Sequence, residues 1–270
     1  MKFLDSLIDR MYAYEITSHQ VTPEKYNIPF QEVSIPASDG GKLYGWHIVV
    51  APNAPTMILL HGWSRNLSRT LPYLQALYPM GYNLLAFDTR NHGSSSRIAR
   101  PTVGTFAEDV VSVVKFLRQQ GNTSPIGAIG LSVGGGAVIN AAGSSDQIRS
   151  VVTIGAISHP KAVMRFEFRK RRVPVFLASL LFGYMRRKYG LDFDVIAPVN
   201  NIRKSQAEFL LIHGEQDETV PVEQARALSA AGSPERTQLW VIPQKGHSDC
   251  HTHPQFFDKV REFLKKTLTV

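Results

Sequence analysis

One cysteine, Cys250, stands in 270 residues. A lone thiol excludes an internal disulfide framework, so burial and hydrogen bonding must hold the chain together, as suits a cytoplasmic setting. Long apolar runs are missing as well. No stretch of about 18 consecutive apolar residues exists, so nothing in the sequence is expected to span a bilayer. Nor does the start have the apolar core of a signal peptide, because Asp5, Asp9 and Arg10 interrupt it soon after Lys2. Phe3, Leu4, Leu7, Ile8, Met11 and Tyr12 instead fall on one helical face. Internal repeats and low-complexity segments are absent. With 43% hydrophobic and 19% charged residues the chain is not of the disordered class, and its length suffices for one large or two small domains.

Acid is scarce in one place. The chain has 30 Lys and Arg against 22 Asp and Glu, a net charge of +8. Lys161, Arg165, Arg169, Lys170, Arg171, Arg172, Arg186, Arg187 and Lys188 share their stretch with a single acid, Glu167, which accounts for the whole excess.

What is present follows a rhythm. Gln31 to Ala37 and Leu43 to Val50 alternate around Asp39-Gly40-Gly41 and predict a β-hairpin. Thr56 to Leu60 is continuously apolar, as a doubly covered central strand should be. A helix is expected over 69–78, a strand over 82–87, a helix over 105–120 and a strand over 150–154. The alternation breaks from about Ser158 to Asn200 and resumes with a strand over 208–212, a helix over 222–231, a strand over 238–242 and a helix over 254–268. Strands alternating with helices at short spacing imply an α/β fold, with a mostly parallel central sheet and helices on both faces.

The stretch around which this is organised runs from Ile126 to Gly136. An apolar strand stops at Gly130-x-Ser132-x-Gly134, and a small-residue helix follows. A turn this sharp forces strained dihedrals on the serine and excludes side chains two residues either way. It exposes the Ser132 hydroxyl at the strand's carboxyl end, where the first N–H groups of the helix converge.

Further motifs appear in order: His61-Gly62-Trp63, then Asp88-x-Arg90-Asn91-His92-Gly93-x-Ser95, then Gly214-x-x-Asp217-x-x-Val220-Pro221, then Gly246-His247-Ser248. With the serine turn they resemble the α/β-hydrolase superfamily over roughly residues 31–268, with Asn91 where that pattern has glycine. The resemblance implies a Ser132–Asp217–His247 triad, in this fold's chain order, with elbow glycines Gly130 and Gly134. It also implies an oxyanion hole made by the backbone N–H groups of Trp63 and Val133. The chemistry agrees: serine is a poor nucleophile until an imidazole takes its proton, and the imidazole needs a carboxylate to orient it. Glu215, Glu218 and Asp249 compete with Asp217 for the acid; the Val220-Pro221 match favours Asp217. Asp88, Arg90 and His92 read as supports beneath the site. His247, Asp249, Cys250, His251 and His253 match no zinc spacing, so no metal and no cofactor are expected. Haloalkane dehalogenation would need a carboxylate where Ser132 stands.

The expected organisation is an N-terminal helical extension over 1–25, a core over 26–157 and 201–270, and a helical cap over 158–200, where the family commonly inserts one. Val173 to Met185 is nearly uncharged and long enough to cover an acyl pocket, with Phe176 and Leu180 as candidate lining. Arg171 and Arg172 are candidates to meet an anionic headgroup or a CoA phosphate. The expected activity is serine esterase chemistry on a small acyl ester through an acyl-enzyme. An acyl-CoA thioesterase or monoacylglycerol-type lipase is the neighbouring reading, and a non-catalytic binding protein of the same fold is the reading from another class. The expected partners are this substrate and an anionic membrane surface met weakly through the basic cap, but no nucleic acid. Oligomeric state stays open.

Overall fold

The computed structural model describes residues 2–14 and 16–268, without the side chains of Lys2, Phe3 and Met11. The places that the helical pattern assigns to Phe3 and Met11 therefore lie outside the described side chains.

Eight strands form one sheet in the order β1-β2-β4-β3-β5-β6-β7-β8. β1 (Gln31–Pro36) and β2 (Lys42–Ile48) are the expected antiparallel hairpin, and β2 runs antiparallel to β4 (Asn83–Phe87). From β4 onward all neighbours are parallel: β3 (Thr56–Leu60), β5 (Ile126–Leu131), β6 (Ile148–Ile154), β7 (Glu208–Gly214) and β8 (Thr237–Ile242). β3, β4 and β5 are buried at every position, as continuous apolar runs covered on both faces must be.

Helices cover both faces. On one side α3 (Val103–Gln119) and α4 (Val133–Ser144) bury Val110, Val113, Leu117, Ala137 and Ala141. Thr102 caps α3, its hydroxyl accepting from Thr105 N–H at 3.2 Å, which sets the helix start two residues before the periodic pattern alone suggests. On the other side α2 (Leu71–Leu77) and α9 (Phe256–Thr267) bury Leu71, Leu74, Phe256, Val260 and Leu264. Fully burying a side chain of this size contributes about 1.5–3 kcal/mol.

Between β6 and β7 the chain leaves the sheet as α5 (Pro160–Lys170) and α6 (Val175–Tyr189), returning through the single turn α7 (Pro198–Asn201). After β7, α8 (Glu223–Ala231) leads into β8. The sequence separates residues 1–25 from 158–200, but α1 (Lys2–Tyr12) packs onto α6. Ile8 is fully buried among Ala178, Leu181, Phe182 and Met185. An oxygen of Asp5 accepts from Tyr184 at 2.8 Å and from Lys188 and Tyr189 at 2.6 Å. α1, α5 and α6 thus form one layer with its own small core. Among the described residues no helix is long and apolar enough to cross a membrane.

Candidate active site

The parallel strands bring their carboxyl ends to one edge, and the site is assembled there. β5 ends at Ser132, whose φ of 55° and ψ of −119° are unusual for a residue with a Cβ. The crowding predicted for the turn is visible. A Cβ on Gly130 would lie 2.3 Å from the Gly134 carbonyl oxygen, and one on Gly134 would lie 2.3 Å from that of His61. Ser132 N–H donates to Ile154 O at 2.8 Å, which ties the strained residue to the neighbouring strand.

His247 and Asp217 arrive from the loops after β8 and β7. His247 Nε2 lies 3.0 Å from Ser132 Oγ, and His247 Nδ1 lies 2.7 Å from Asp217 Oδ2. A carboxylate only accepts, so Nδ1 carries the proton and Nε2 is free to accept from the serine hydroxyl. The other oxygen, Asp217 Oδ1, accepts from the N–H groups of Thr219 at 2.9 Å and Val220 at 2.8 Å. Burial opposes ionisation of Asp217, but the bonds from His213, His247 and Val220 outweigh it and hold the carboxyl below its usual range. The competing acids stand elsewhere. Glu215 and Glu218 are exposed, and Asp249 accepts from Gly246 N–H at 2.7 Å, fastening the histidine loop rather than the imidazole.

The backbone at Gly62 runs against the serine, where a Cβ would lie 3.1 Å from Ser132 Cβ. Among the described residues the N–H groups of Trp63 and Val133 donate to no protein acceptor. Val133 begins α4, so the partial positive charge of the helix end lies beside the serine. The Trp63 ring stacks on Phe106 at 6.1 Å and meets Tyr12 and Tyr14 at 5.9 and 5.3 Å, so the N-terminal segment reaches the site.

Asp88, Arg90 and His92 lie beneath this edge and hold loops. Asp88 accepts from Leu67 N–H at 2.8 Å and Ser94 N–H at 2.9 Å and pairs with His19 at 2.7 Å. Arg90 pairs with Asp39, Glu108 and Asp109. His92 accepts at Nε2 from Ser64 N–H at 3.2 Å while Nδ1 faces Arg90 O at 3.1 Å, the pattern of a neutral ring. Burial, then the neighbouring His61, pushes the His92 pKa down to about 3. The run from His247 to His253 diverges: Cys250 Sγ contacts Gly246 O, burial pushing its thiol up to about 12, and His253 packs on Trp240. Among the described residues no cluster of three or more His, Cys, Asp or Glu is placed to hold a metal ion.

Two findings differ from the sequence reading. Phe176 and Leu180 turn outward; both face solvent, each 64% exposed, because the inner face of α6 is taken by Ala178, Leu181, Phe182 and Met185. Arg171 and Arg172 are also exposed, at the α5–α6 turn. The cavity in this layer, about 560 Å³, is lined instead by Phe166, Phe168, Val173, Val175, Ala178, Pro221 and Gln224, with Arg165 and Arg169 beside them. Ser132, Asp217 and His247 are not among its walls. Gln224 does tie it to the strand edge, accepting from Ser158 Oγ at 2.7 Å.

The second is a residue that sequence reasoning missed. His213, fully buried in β7, places Nε2 2.8 Å from Val220 O and 3.3 Å from Asp217 Oδ2. Its only signal in the sequence is a histidine four positions before the acid.

Against known proteins, the profile of the alpha/beta hydrolase fold matches residues 55–176. Protein ABHD12B of Homo sapiens is 26% identical over 227 residues, 78% of this chain and 61% of that protein. Thiohydrolase aneE of Aspergillus aculeatus is 28% identical over 207 residues, 72% of this chain and 63% of that protein. The chain thus spans about three fifths of the length of these two relatives. Among solved structures, the esterase Pf2001 of Pyrococcus furiosus superposes with a TM-score of 0.78 at 24% identity, covering 95% of this chain and all of that one. With the eight-stranded, mostly parallel sheet and its strand-end serine turn, these likenesses show that the chain has the alpha/beta hydrolase fold.

Proposed function

We propose that the chain is a serine hydrolase of carboxylic esters, working through an acyl-enzyme. The observation that carries this reading is the continuous relay from Ser132 Oγ through His247 to Asp217, at 3.0 and 2.7 Å. Ser132 attacks the ester carbonyl as His247 Nε2 takes its proton, and Asp217 holds the tautomer and offsets the charge of the imidazolium. The carbonyl oxygen, now an anion, is received by the N–H groups of Trp63 and Val133, which no protein acceptor competes for among the described residues. A preorganised donor of this kind is worth on the order of 10²–10³ in kcat. The imidazolium then protonates the departing alcohol, and water, deprotonated by the same ring, releases the acid.

In this reading residues 26–157 and 201–270 are the catalytic core, and 158–200 together with 1–25 are its cap. Thioester hydrolysis is a second reading, favoured by the thiohydrolase among the relatives. The relay serves it equally, because only the leaving group changes.

The test is turnover of a chain-length series of p-nitrophenyl esters beside the matching acyl-CoA thioesters, for the wild type and Ser132→Ala. Ester hydrolysis lost in the variant supports the reading. Faster turnover of thioesters at every length would replace it with the second, and a wild type inert on both series would remove it.

A further inference from the structure

α6 carries apolar side chains on both faces. At 100° per residue, the side opposite its buried face presents Phe176, Leu180, Gly183 and Arg187, spaced i, i+4, i+7 and i+11. Phe176 and Leu180 are 64% exposed, and the adjacent Val175 and Leu177 are 62% and 45% exposed. Nine large apolar side chains are exposed among the described residues, and four of them fall within these six positions. A surface helix ordinarily carries polar residues there, and a contiguous apolar patch marks an interaction site.

The surrounding charge has one sign. Arg169, Arg171 and Arg172 at the α5–α6 turn, and Arg187 at the end of the stripe, are exposed and make no ion pair among the described residues. Four of the other five cations of the stretch are in ion pairs: Lys161 with Asp194, Lys170 with Glu167, Arg186 with Asp192 and Lys188 with Asp5, while Arg165 lies over the Phe182 ring at 5.7 Å. Folding therefore concentrates the uncompensated charge around the apolar stripe.

We propose that this face of α6, with its arginines, docks the protein on the surface of an anionic lipid bilayer. The charge decides between a bilayer and a second copy of the chain. A two-fold pairing through this face would set the same arginines against one another with no acid between them, which is repulsive. A bilayer satisfies both parts: the Phe and Leu side chains enter the headgroup–acyl boundary, and the arginines reach phosphates along their aliphatic stems. Val175 and Arg169 border the cavity between α5 and α6 as well as the patch, so docking sets that cavity beside the lipid.

The proposal is independent of the catalytic reading, since its readout is partition and not turnover. The purified protein is sedimented with vesicles of phosphatidylcholine alone and of phosphatidylcholine mixed with phosphatidylglycerol. The expected result is binding to the mixed vesicles that weakens as salt is added. Each arginine near an anionic surface is worth about a fivefold factor, so Arg169→Gln, Arg171→Gln and Arg172→Gln together should weaken partition about 100-fold. Phe176→Ser with Leu180→Ser should also weaken it, while circular dichroism and the lipid-free sedimentation coefficient stay as in the wild type. Absence of binding, or equal binding to both vesicle types, overturns the proposal. So does a lipid-free dimer that the Phe176 and Leu180 changes convert to monomer, which would assign the face to self-association.

Discussion

His213 and His247 share one carboxylate oxygen, Asp217 Oδ2, at 3.3 and 2.7 Å. Because His213 also donates to Val220 O, and Val220 N–H donates to Asp217 Oδ1, the acid is clamped from both sides by its own loop. Its remaining direction faces His247. In the proposed reaction His213 is a positioning residue, acting on the imidazole through the acid.

Removing it should loosen that geometry without removing the relay. His213→Leu should lower kcat by about 10- to 100-fold, the scale of a small misplacement of a reacting group, with KM little changed. His213→Gln, whose amide N–H can replace the bond to Val220 O, should recover most of the loss. Steady-state kinetics on a short ester test this, and an undiminished kcat in His213→Leu contradicts it.

The acids can be separated by substitution. Asp217→Asn puts an amide where the carboxylate holds the imidazole, and a loss of about 10⁴ in kcat is expected. Glu215→Gln and Glu218→Gln should leave kcat within a few-fold, since both side chains face water. Asp249→Asn should act modestly, through the Gly246 bond that shapes the histidine loop. A crippling Asp249→Asn beside a mild Asp217→Asn would move the acid to that loop.

The elbow stores strain that can be released. At φ 55° any residue with a Cβ is strained, typically by about 1–3 kcal/mol, and glycine is not. Ser132→Gly should therefore unfold at higher urea than Ser132→Ala, by about 1 kcal/mol after glycine's entropy cost, with both inactive. Equal midpoints would mean that the neighbouring backbone absorbs the conformation without cost.

Acid should destabilise the fold through its buried neutral histidines. Burial holds the His92 pKa down to about 3 and pushes that of His61 below its ordinary value. Both lie lower in the folded state than in the unfolded chain, so unfolding takes up protons as pH falls from about 6.5 toward 3. Stability is complete above this window and is lost on descending through it, by up to about 1.4 kcal/mol per pH unit for each such proton. Urea midpoints between neutral and mildly acidic pH should fall, and His92→Gln should flatten the slope. Midpoints that do not move with pH would contradict the neutral assignment.

How far the sequence could be read follows from the kind of signal each element carries. β3, β5 and the hairpin are legible because burial on both faces, or on one, leaves its own pattern of apolar residues. The relay is legible because a serine between crowding glycines, an acid past one strand and a histidine past another have few other reasons to occur in that order. Tertiary partnership leaves no such trace. The amphipathic pattern of α1 marks an apolar face but does not name α6 as its partner. Val173 to Met185 is apolar without a period, so nothing in it tells the inward Ala178 and Phe182 from the outward Phe176 and Leu180. His213 reads as one more strand residue until the loop folds back to bring Asp217 to it.

The most direct measurement is covalent: incubation with a fluorophosphonate, followed by peptide mass mapping of the adduct in the wild type, Ser132→Ala and Asp217→Asn. The relay predicts one adduct in the wild type, on Ser132 and stoichiometric, none in Ser132→Ala, and slow labelling in Asp217→Asn, where the imidazole loses its orienting acid. Labelling of a different residue, or ester turnover in a wild type whose Ser132 stays unmodified, would contradict the assignment of Ser132 as nucleophile.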